Sequence, residues 1–161
     1  MSGGAQFVSF KLGEEKYGID ILSVKEIIRM QPVTRVPNTP EYVRGVINLR
    51  GEIIPIVDLR KKLGIPPTED KSNRIIVVEH QDKKVGFIVD SVSEVLRVEE
   101  DSIEPPPSMM RIDSKYISGI AKLDGEFMIV LDLNRLLEEE LETAQLEKIG
   151  QMAEEVEQTT T

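Results

Sequence analysis

The chain has 161 residues, of which 40% are hydrophobic and 30% charged, and a formal net charge of −9. This length fits one domain or two small domains that share a core. Cysteine is absent, which excludes disulfides, thiolate metal sites and a cysteine nucleophile. The N-terminus lacks a basic segment followed by an apolar run, and no stretch approaches the ~20 apolar residues of a membrane span. We therefore predict a soluble, cytoplasmic protein without direct membrane insertion.

The negative charge is concentrated at the C-terminus. Residues 138–161 contain eight Glu and one Lys and carry −7, so the rest of the chain carries only −2. Binding to nucleic acid needs clustered Lys and Arg, which neither part provides, so no nucleic-acid partner is expected. We predict an acidic C-terminal helix with a frayed end over 138–161, with a partner-docking helix as the alternative interpretation.

The residue pattern in the first part of the chain predicts short strands and turns. Strands are predicted over 7–12 and 17–21, with a polar turn between them. Residues 22–30 fit either a helical turn or a strand, and we favour a turn followed by a strand that 33–36 extends. Pro40 fits the first position of a short helix over 39–43, with Thr39 as its N-cap.

The next segment predicts a β-hairpin and a short helix. Apolar, β-branched residues at 46–49 and 53–57 flank a turn at Arg50–Gly51. Pro55 lies inside the second strand and cannot donate a hydrogen bond, which indicates an edge or bulge position. Asp58 fits the helix N-cap, and Gly64 fits the helix end.

The hairpin segment occurs twice. Residues 45–63 align without a gap with residues 119–137, at a distance of 74 positions. Strands predicted over 74–79 and 85–89 repeat the first two strands, and a polar linker at 65–73 separates the copies.

This duplication predicts a mainly β fold. Each copy provides about five short strands, and a unit of this size closes most economically as a small barrel. We predict two five-stranded β-barrels that share a hydrophobic core, with short helices and a C-terminal helix. The expected units are residues 6–72, residues 73–137 and the tail at 138–161.

Motifs of catalysis are missing from the sequence. His80 is the only histidine and lies beside a predicted turn, and no P-loop or G-x-G-x-x-G stretch occurs. We predict a non-catalytic protein without a cofactor or metal. The alternative is a small enzyme that uses carboxylates and Arg, and its only plausible acids would be Asp20, Asp58 and Asp90.

Arg50 is the strongest candidate for a functional side chain. It is either an ordinary exposed hairpin residue or a guanidinium fixed on a binding surface, with Glu26 as a possible partner. The second copy has Asp124 at this turn, so a barrel does not require Arg there. Gly45 fits either a close backbone approach or a bulge. Residues 105–110 place two Met after three Pro, which suits a protein-contact loop if exposed and a plug if buried.

The sequence resembles the CheW family of chemotaxis coupling proteins over about residues 6–141. The segments that carry the resemblance are residues 12–21, residues 36–60 with their Asn-Leu-Arg-Gly block at 48–51, and residues 85–95. The resemblance implies SH3-like barrels and an adaptor that links chemoreceptor tips to the histidine kinase CheA through that kinase's regulatory CheW-like domain. A CheW-like scaffold of a different two-component pathway, or a domain cut from a larger kinase, is the alternative, although Met1 and the tail favour a free-standing protein.

The resemblance also implies two groups of contact residues. Those expected at the receptor are Glu26, Gly45, Asn48, Arg50 and Gly51. Those expected at the kinase are Val8, Ile21 and Val24, with Glu104 and Met109 in a loop that provides a second contact. Some relatives have a basic residue and an aromatic residue in that loop, where this chain has Glu104 and Met109.

Overall fold

The structure, a computed structural model, describes residues 4–106 and 116–138. The first half forms β1 Gly4–Leu12, β2 Glu15–Asp20, a 3₁₀ turn Ile21–Ser23, β3 Val24–Arg29, β4 Val43–Leu49, β5 Glu52–Asp58 and helix α1 Leu59–Lys62. The second half forms β6 Arg74–His80, β7 Lys83–Val89, β8 Ser91–Glu99, a 3₁₀ turn Glu100–Ser102, β9 Ile103–Glu104, β10 Ile117–Leu123, β11 Glu126–Leu131 and helix α2 Leu133–Glu138. The predicted strands are confirmed, including the turn and strand favoured over 22–30. The tail beyond residue 138 lies outside the described residues.

Two predictions between β3 and β4 are wrong. The strand does not extend over 33–36, where Thr34 instead forms an isolated antiparallel bridge to Val46. The short helix predicted at 39–43 is a turn, in which the Val43 amide donates to the Pro40 carbonyl at 2.9 Å. The Thr39 hydroxyl donates to the Val36 carbonyl and caps no helix. Pairing of Val43 with Val57 in the sheet outweighs the local capping signal.

The edge position expected for Pro55 is also wrong, because β5 lies between β4 and β7. Pro55 faces Val46 in β4, and the parallel pairing with β7 begins one residue later at Ile56. Pro55, which has no N–H to donate, therefore lies just before the β5–β7 ladder. The bulge lies on the neighbouring strand β4, between Val43 and Gly45.

The strands form two sheets, each built from both halves of the chain. One has the order β8-β1-β2-β11-β10-β9 and the other β3-β6-β7-β5-β4. The β1–β2 hairpin of the first half thus joins the barrel of the second half, and β6–β7 joins the barrel of the first. Both exchanges use equivalent parallel pairs, β2 with β11 and β7 with β5. The boundary predicted after residue 72 separates the sequence copies, and both sheets cross it.

The largest core lies between the barrels, as predicted. It joins residues of the six-stranded sheet, among them Phe10 and Tyr17, to residues of the five-stranded sheet, among them Ile76 and Phe87. Two smaller clusters consist of residues from one sheet each, centred on Ile54, Ile75 and Ile88 and on Phe7, Met128 and Val130. The mainly β fold of two SH3-like barrels with a common core is confirmed, with the two-residue β9 as a sixth strand in one sheet.

Burial of Tyr17 in this core predicts a loss of stability at alkaline pH. Burial and the nearby charge of Glu15 raise the pKa of Tyr17 to about 12. The unfolded chain releases this proton near pH 10 and the folded chain near pH 12, so the folded state binds more protons between these values. The contribution of Tyr17 to the free energy of unfolding is fully present below pH 10. Between pH 10 and pH 12 it falls by about 1.4 kcal/mol per pH unit.

Urea unfolding at pH 8 and at several values above pH 10 measures this loss. Tyr17→Phe should show a smaller decline than the wild type, by roughly 2 kcal/mol at pH 12, because its ring carries no titrating hydroxyl. Tyr42 and Tyr116 remain in both proteins and provide the same background. Identical declines in the two proteins would contradict the assignment.

Candidate protein-binding surface

The turn between β4 and β5 holds Arg50 in an uncommon backbone conformation. Arg50 and Gly51 have φ values of 53° and 86°, and they connect the paired residues Leu49 and Glu52. Two-residue hairpin turns with two positive φ values favour Asn-Gly, because a larger side chain is strained in the left-handed region. Asn48 supports the turn, since its Oδ1 accepts from the Gly51 amide at 2.9 Å. Arg50 therefore occupies a position that a smaller residue would fill with less strain.

An ion pair fixes the Arg50 side chain. Its Nη2 donates to Oε2 of Glu26, the partner considered from the sequence. The Arg50 side chain is 69% exposed and that of Glu26 is 31% exposed. A guanidinium carries five N–H donors, and among the described residues only Nη2 is engaged. The surface thus presents an oriented cation with donors that remain available to a partner.

Glu26 links this turn to the other end of the sheet. It lies on β3, whereas the hairpin contains β4, and these two strands terminate the order β3-β6-β7-β5-β4. The segment that follows β3 contacts β4 through the Thr34–Val46 bridge. Oε1 of Glu26 is buried and has no hydrogen-bond partner among the described residues. Arg50 is therefore the group that compensates this half-buried carboxylate.

Gly45 acts through the backbone, and both interpretations considered for it are found. Its φ is +144°, and β4 changes register between Val43 and Gly45. A Cβ at this position would lie 2.1 Å from the Thr34 carbonyl oxygen. Only glycine allows this approach, which places Thr34 beside β4 and helps to close the barrel below the Arg50 turn.

The residues expected at the kinase do not form one surface. Val8 is 2% exposed and lies in the shared core, so its side chain is not a surface group. Ile21 and Val24 are half-buried and pack against the same core. Glu104 is exposed on β9, in the same six-stranded sheet as Val8, and its Oε1 lies 2.9 Å from Lys122 Nζ. Met109 lies outside the described residues.

Two exposed apolar residues near Val24 were missed in the sequence. Leu22 is 86% exposed, and Ile27 is exposed on β3. Burial alternates along β3, so that Lys25, Ile27 and Arg29 share the exposed face. An apolar residue on this otherwise charged face was the available signal for Ile27. Its equivalent in the second copy, Val95 on β8, is exposed as well.

Arg60 forms a buried cluster that the sequence analysis also missed. Both Arg60 and Asp58 are fully buried, and Nε of Arg60 donates to Asp58 Oδ1 at 2.9 Å. Nη1 donates to Asp90 Oδ1 at 2.9 Å and to the Thr68 carbonyl at 2.7 Å. Burial alone would lower the pKa of Arg60, but the hydrogen bonds that Arg60 donates to the two carboxylates, and the charge of those carboxylates, raise it above its ordinary value. Arg60 therefore remains charged wherever the protein is folded.

This cluster connects the two barrels. Asp90 Oδ2 accepts from the Gly13 amide at 2.6 Å, and the Asp90 amide donates to the Lys11 carbonyl at 3.0 Å. Lys11 and Gly13 lie at the β1–β2 turn of one barrel, whereas Arg60 belongs to the other. Through Asp90 the arginine thus helps to fix the relative position of the barrels.

The carboxylates required by the enzyme alternative have structural roles. Asp58 also caps α1 as predicted, by accepting from the Arg60 amide at 3.1 Å, and it shares Arg60 with Asp90. Asp20 accepts from the Leu22 amide at the start of a 3₁₀ turn. Within residues 4–106 and 116–138, no group of three acidic, His or Cys residues is placed to hold a metal ion. No helix of this described part is long and apolar enough to cross a membrane.

Comparisons with known proteins agree on one family. The CheW-like domain family matches residues 6–141. The chain is 40% identical over 139 residues to the chemotaxis protein CheW of Klebsiella aerogenes, covering 85% of this chain and 84% of the relative. It is 38% identical over 137 residues to CheW of Treponema pallidum, covering 81% of each. The crystal structure of the scaffolding protein TtCheW from Thermoanaerobacter tengcongensis matches with a TM-score of 0.78 and 45% identity, covering 85% of this chain and 88% of that one.

Proposed function

The chain belongs to the CheW family of chemotaxis scaffold proteins, and from this premise we propose that it couples chemoreceptors to the histidine kinase CheA in the cytoplasm. The observation that carries the proposal is the exposed Arg50 guanidinium, held at a strained turn by Glu26. Natural proteins retain strained residues mainly where a function requires them. The role is that of an adaptor without catalytic activity.

The receptor would bind at the Arg50 turn. Arg50 offers directed charge, and Glu26 and the Asn48–Gly51 contact hold it in place. Gly45 shapes the strand below the turn. An oriented guanidinium with a fixed counter-ion suits recognition of a carboxylate or carbonyl groups on a helical receptor tip, because little side-chain entropy is lost on binding.

The kinase would bind on a different face of the same barrel. Ile21 and Val24 support this face from below, and the exposed Leu22 and Ile27 supply apolar contact area. Val8 would contribute only as core support. Glu104 with Met109 would form the second contact, on the other barrel. Separate faces allow receptor and kinase to bind together, which raises their local concentration and links their binding free energies.

Arg50→Ala is expected to weaken binding to a receptor cytoplasmic fragment at least about tenfold, because a charged hydrogen bond is lost. Binding to the CheA regulatory domain should remain unchanged. The double variant Glu26→Arg/Arg50→Glu keeps an ion pair but presents a carboxylate, and should also bind the receptor weakly. Fluorescence anisotropy with each partner separately measures these affinities.

Lys84→Ala is a matched control, because Lys84 is another surface cation that pairs with a carboxylate of the same barrel, Glu52 Oε1 at 3.2 Å. Unchanged receptor affinity for folded Arg50→Ala would refute the assignment of the surface. Full recovery of binding in the charge-exchanged variant would show that the ion pair matters only for structure. If the folded wild type binds neither partner, the alternative of a scaffold in a different two-component pathway gains support.

A further inference from the structure

One carboxylate occurs in both copies of the repeat but has different partners in each. Asp58 in the first copy corresponds to Asp132 in the second, 74 residues later. Asp58 contacts two guanidiniums, that of Arg60 at 2.9 and 3.1 Å and that of Arg44 at 3.5 Å.

The second copy lacks both of these arginines. At the positions that correspond to Arg44 and Arg60 it has Ser118 and Asn134. Asp132 therefore keeps its carboxylate without the two cations that compensate its counterpart. Its nearest cation among the described residues is the exposed Arg135, whose Nε lies 3.7 Å from Oδ2, beyond hydrogen-bond distance.

A cavity of about 280 Å³ lies where these side chains would be. Ser118, Asp132 and Asn134 line it together with Asp20, a second carboxylate. Phe7 and Ile103 contribute apolar walls. The cavity thus combines negative charge, polar groups and an apolar lining, in the place where the first copy holds arginine.

We propose that this cavity accepts an arginine side chain from a partner protein. The planar guanidinium would bind Asp132 as Arg60 binds Asp58, and its aliphatic part would lie against Phe7 and Ile103. Arginine fits better than lysine because its fork matches a carboxylate in two parallel hydrogen bonds. The first copy supplies this cation from its own chain, and the second copy receives it from a partner. The site lies in the six-stranded barrel, whereas the Arg50 turn lies in the five-stranded barrel.

NMR titration of the full chain with N-acetyl-arginine amide tests the site. Saturable shifts are expected at the amides of Ser118, Asp132 and Asn134, and none with the uncharged isostere N-acetyl-citrulline amide. Asp132→Asn should weaken binding at least about tenfold, because it removes the charge. Asp132 Oδ1 accepts from the Arg135 amide at the start of α2. Asparagine can accept the same hydrogen bond, so α2 is expected to persist in this variant.

Asn134→Arg supplies the missing arginine within the chain. This variant should bind no N-acetyl-arginine amide and should melt at a higher temperature than the wild type. Its affinity for at least one of three proteins, the CheA regulatory domain, the receptor fragment or a second copy of this chain, should fall about tenfold, as for loss of a charged hydrogen bond. Unchanged affinity for all three would overturn the proposal, and the probe titration separates that failure from a failure of the adaptor function.

Two results of the titration would overturn the proposal directly. Equal shifts with the arginine and citrulline probes, or shifts that Asp132→Asn does not weaken, would show that no guanidinium site exists.

Discussion

Replacing Arg60 by Met is expected to lower the free energy of unfolding by about 3–5 kcal/mol, the usual effect of removing one partner from a buried ion pair. Methionine retains most of the apolar volume but leaves Asp58 buried without its main counter-ion. Asp90 loses the same cation, and the Thr68 carbonyl loses a donor. The contact from Arg44 to Asp58, at 3.5 Å, is too long to replace the pair.

Urea unfolding monitored by circular dichroism measures the effect of Arg60→Met. Asn134→Ala is the matched control, because Asn134 is the exposed equivalent of Arg60 in the second copy and should change stability by less than about 0.5 kcal/mol. Arg60→Lys retains the charge and loses the planar fork, and an intermediate loss is expected. A loss below about 1 kcal/mol in Arg60→Met would show that the cluster contributes little to stability.

Gly45→Ala is expected to lower the free energy of unfolding by more than about 4 kcal/mol, in the range of severe core substitutions. The new Cβ would lie 2.1 Å from the carbonyl oxygen and 2.7 Å from the carbonyl carbon of Thr34. Because these are backbone atoms, no side-chain rotation relieves the clash. The Thr34–Val46 hydrogen bonds, both 2.9 Å, would have to break or shift. The strained φ of +144° adds to this effect.

Gly51→Ala separates the clash from the backbone strain. Gly51 also has a positive φ of +86°, but a Cβ there would meet no atom within 4 Å. We expect a loss of about 1–2 kcal/mol for this variant, the cost of placing an L-residue in the left-handed region. Denaturant unfolding of both variants measures the difference. Equal losses would show that contact with Thr34 does not constrain Gly45.

The β elements could be predicted because their signals are local. Short apolar segments define β1, β2, β6 and β7, and glycine marks the turn at Arg50–Gly51. Asp58 was correctly identified as a helix cap, since capping involves residues only two positions apart. The helix predicted at residues 39–43 was wrong because the prediction used only neighbouring residues. The pairing of Val43 with Val57 cannot be predicted from the neighbours of Thr39.

The candidate site was only partly accessible from the sequence. The turn and its strain depend on adjacent residues, and comparison with Asp124 in the second copy singled out Arg50. The burial of Val8 and the exposure of Leu22 depend on how strands from both halves pack. Arg60 is a charged residue in a short helix, a position that normally faces solvent. Its burial is favourable because Asp90, which follows β7, contacts it together with Asp58.

By itself the sequence determined that the protein is a duplicated β protein that resembles CheW. It also determined the positions of most strands and turns. Only the tertiary structure decided that the hairpins β1–β2 and β6–β7 are exchanged between the barrels. Both hairpins consist of short apolar strands joined by a polar turn, so either hairpin satisfies the local pattern in either barrel. The parallel contacts of β2 with β11 and of β7 with β5, and the core that these contacts enclose, select the exchanged arrangement. Such contacts join residues far apart in the chain, and no local pattern specifies them.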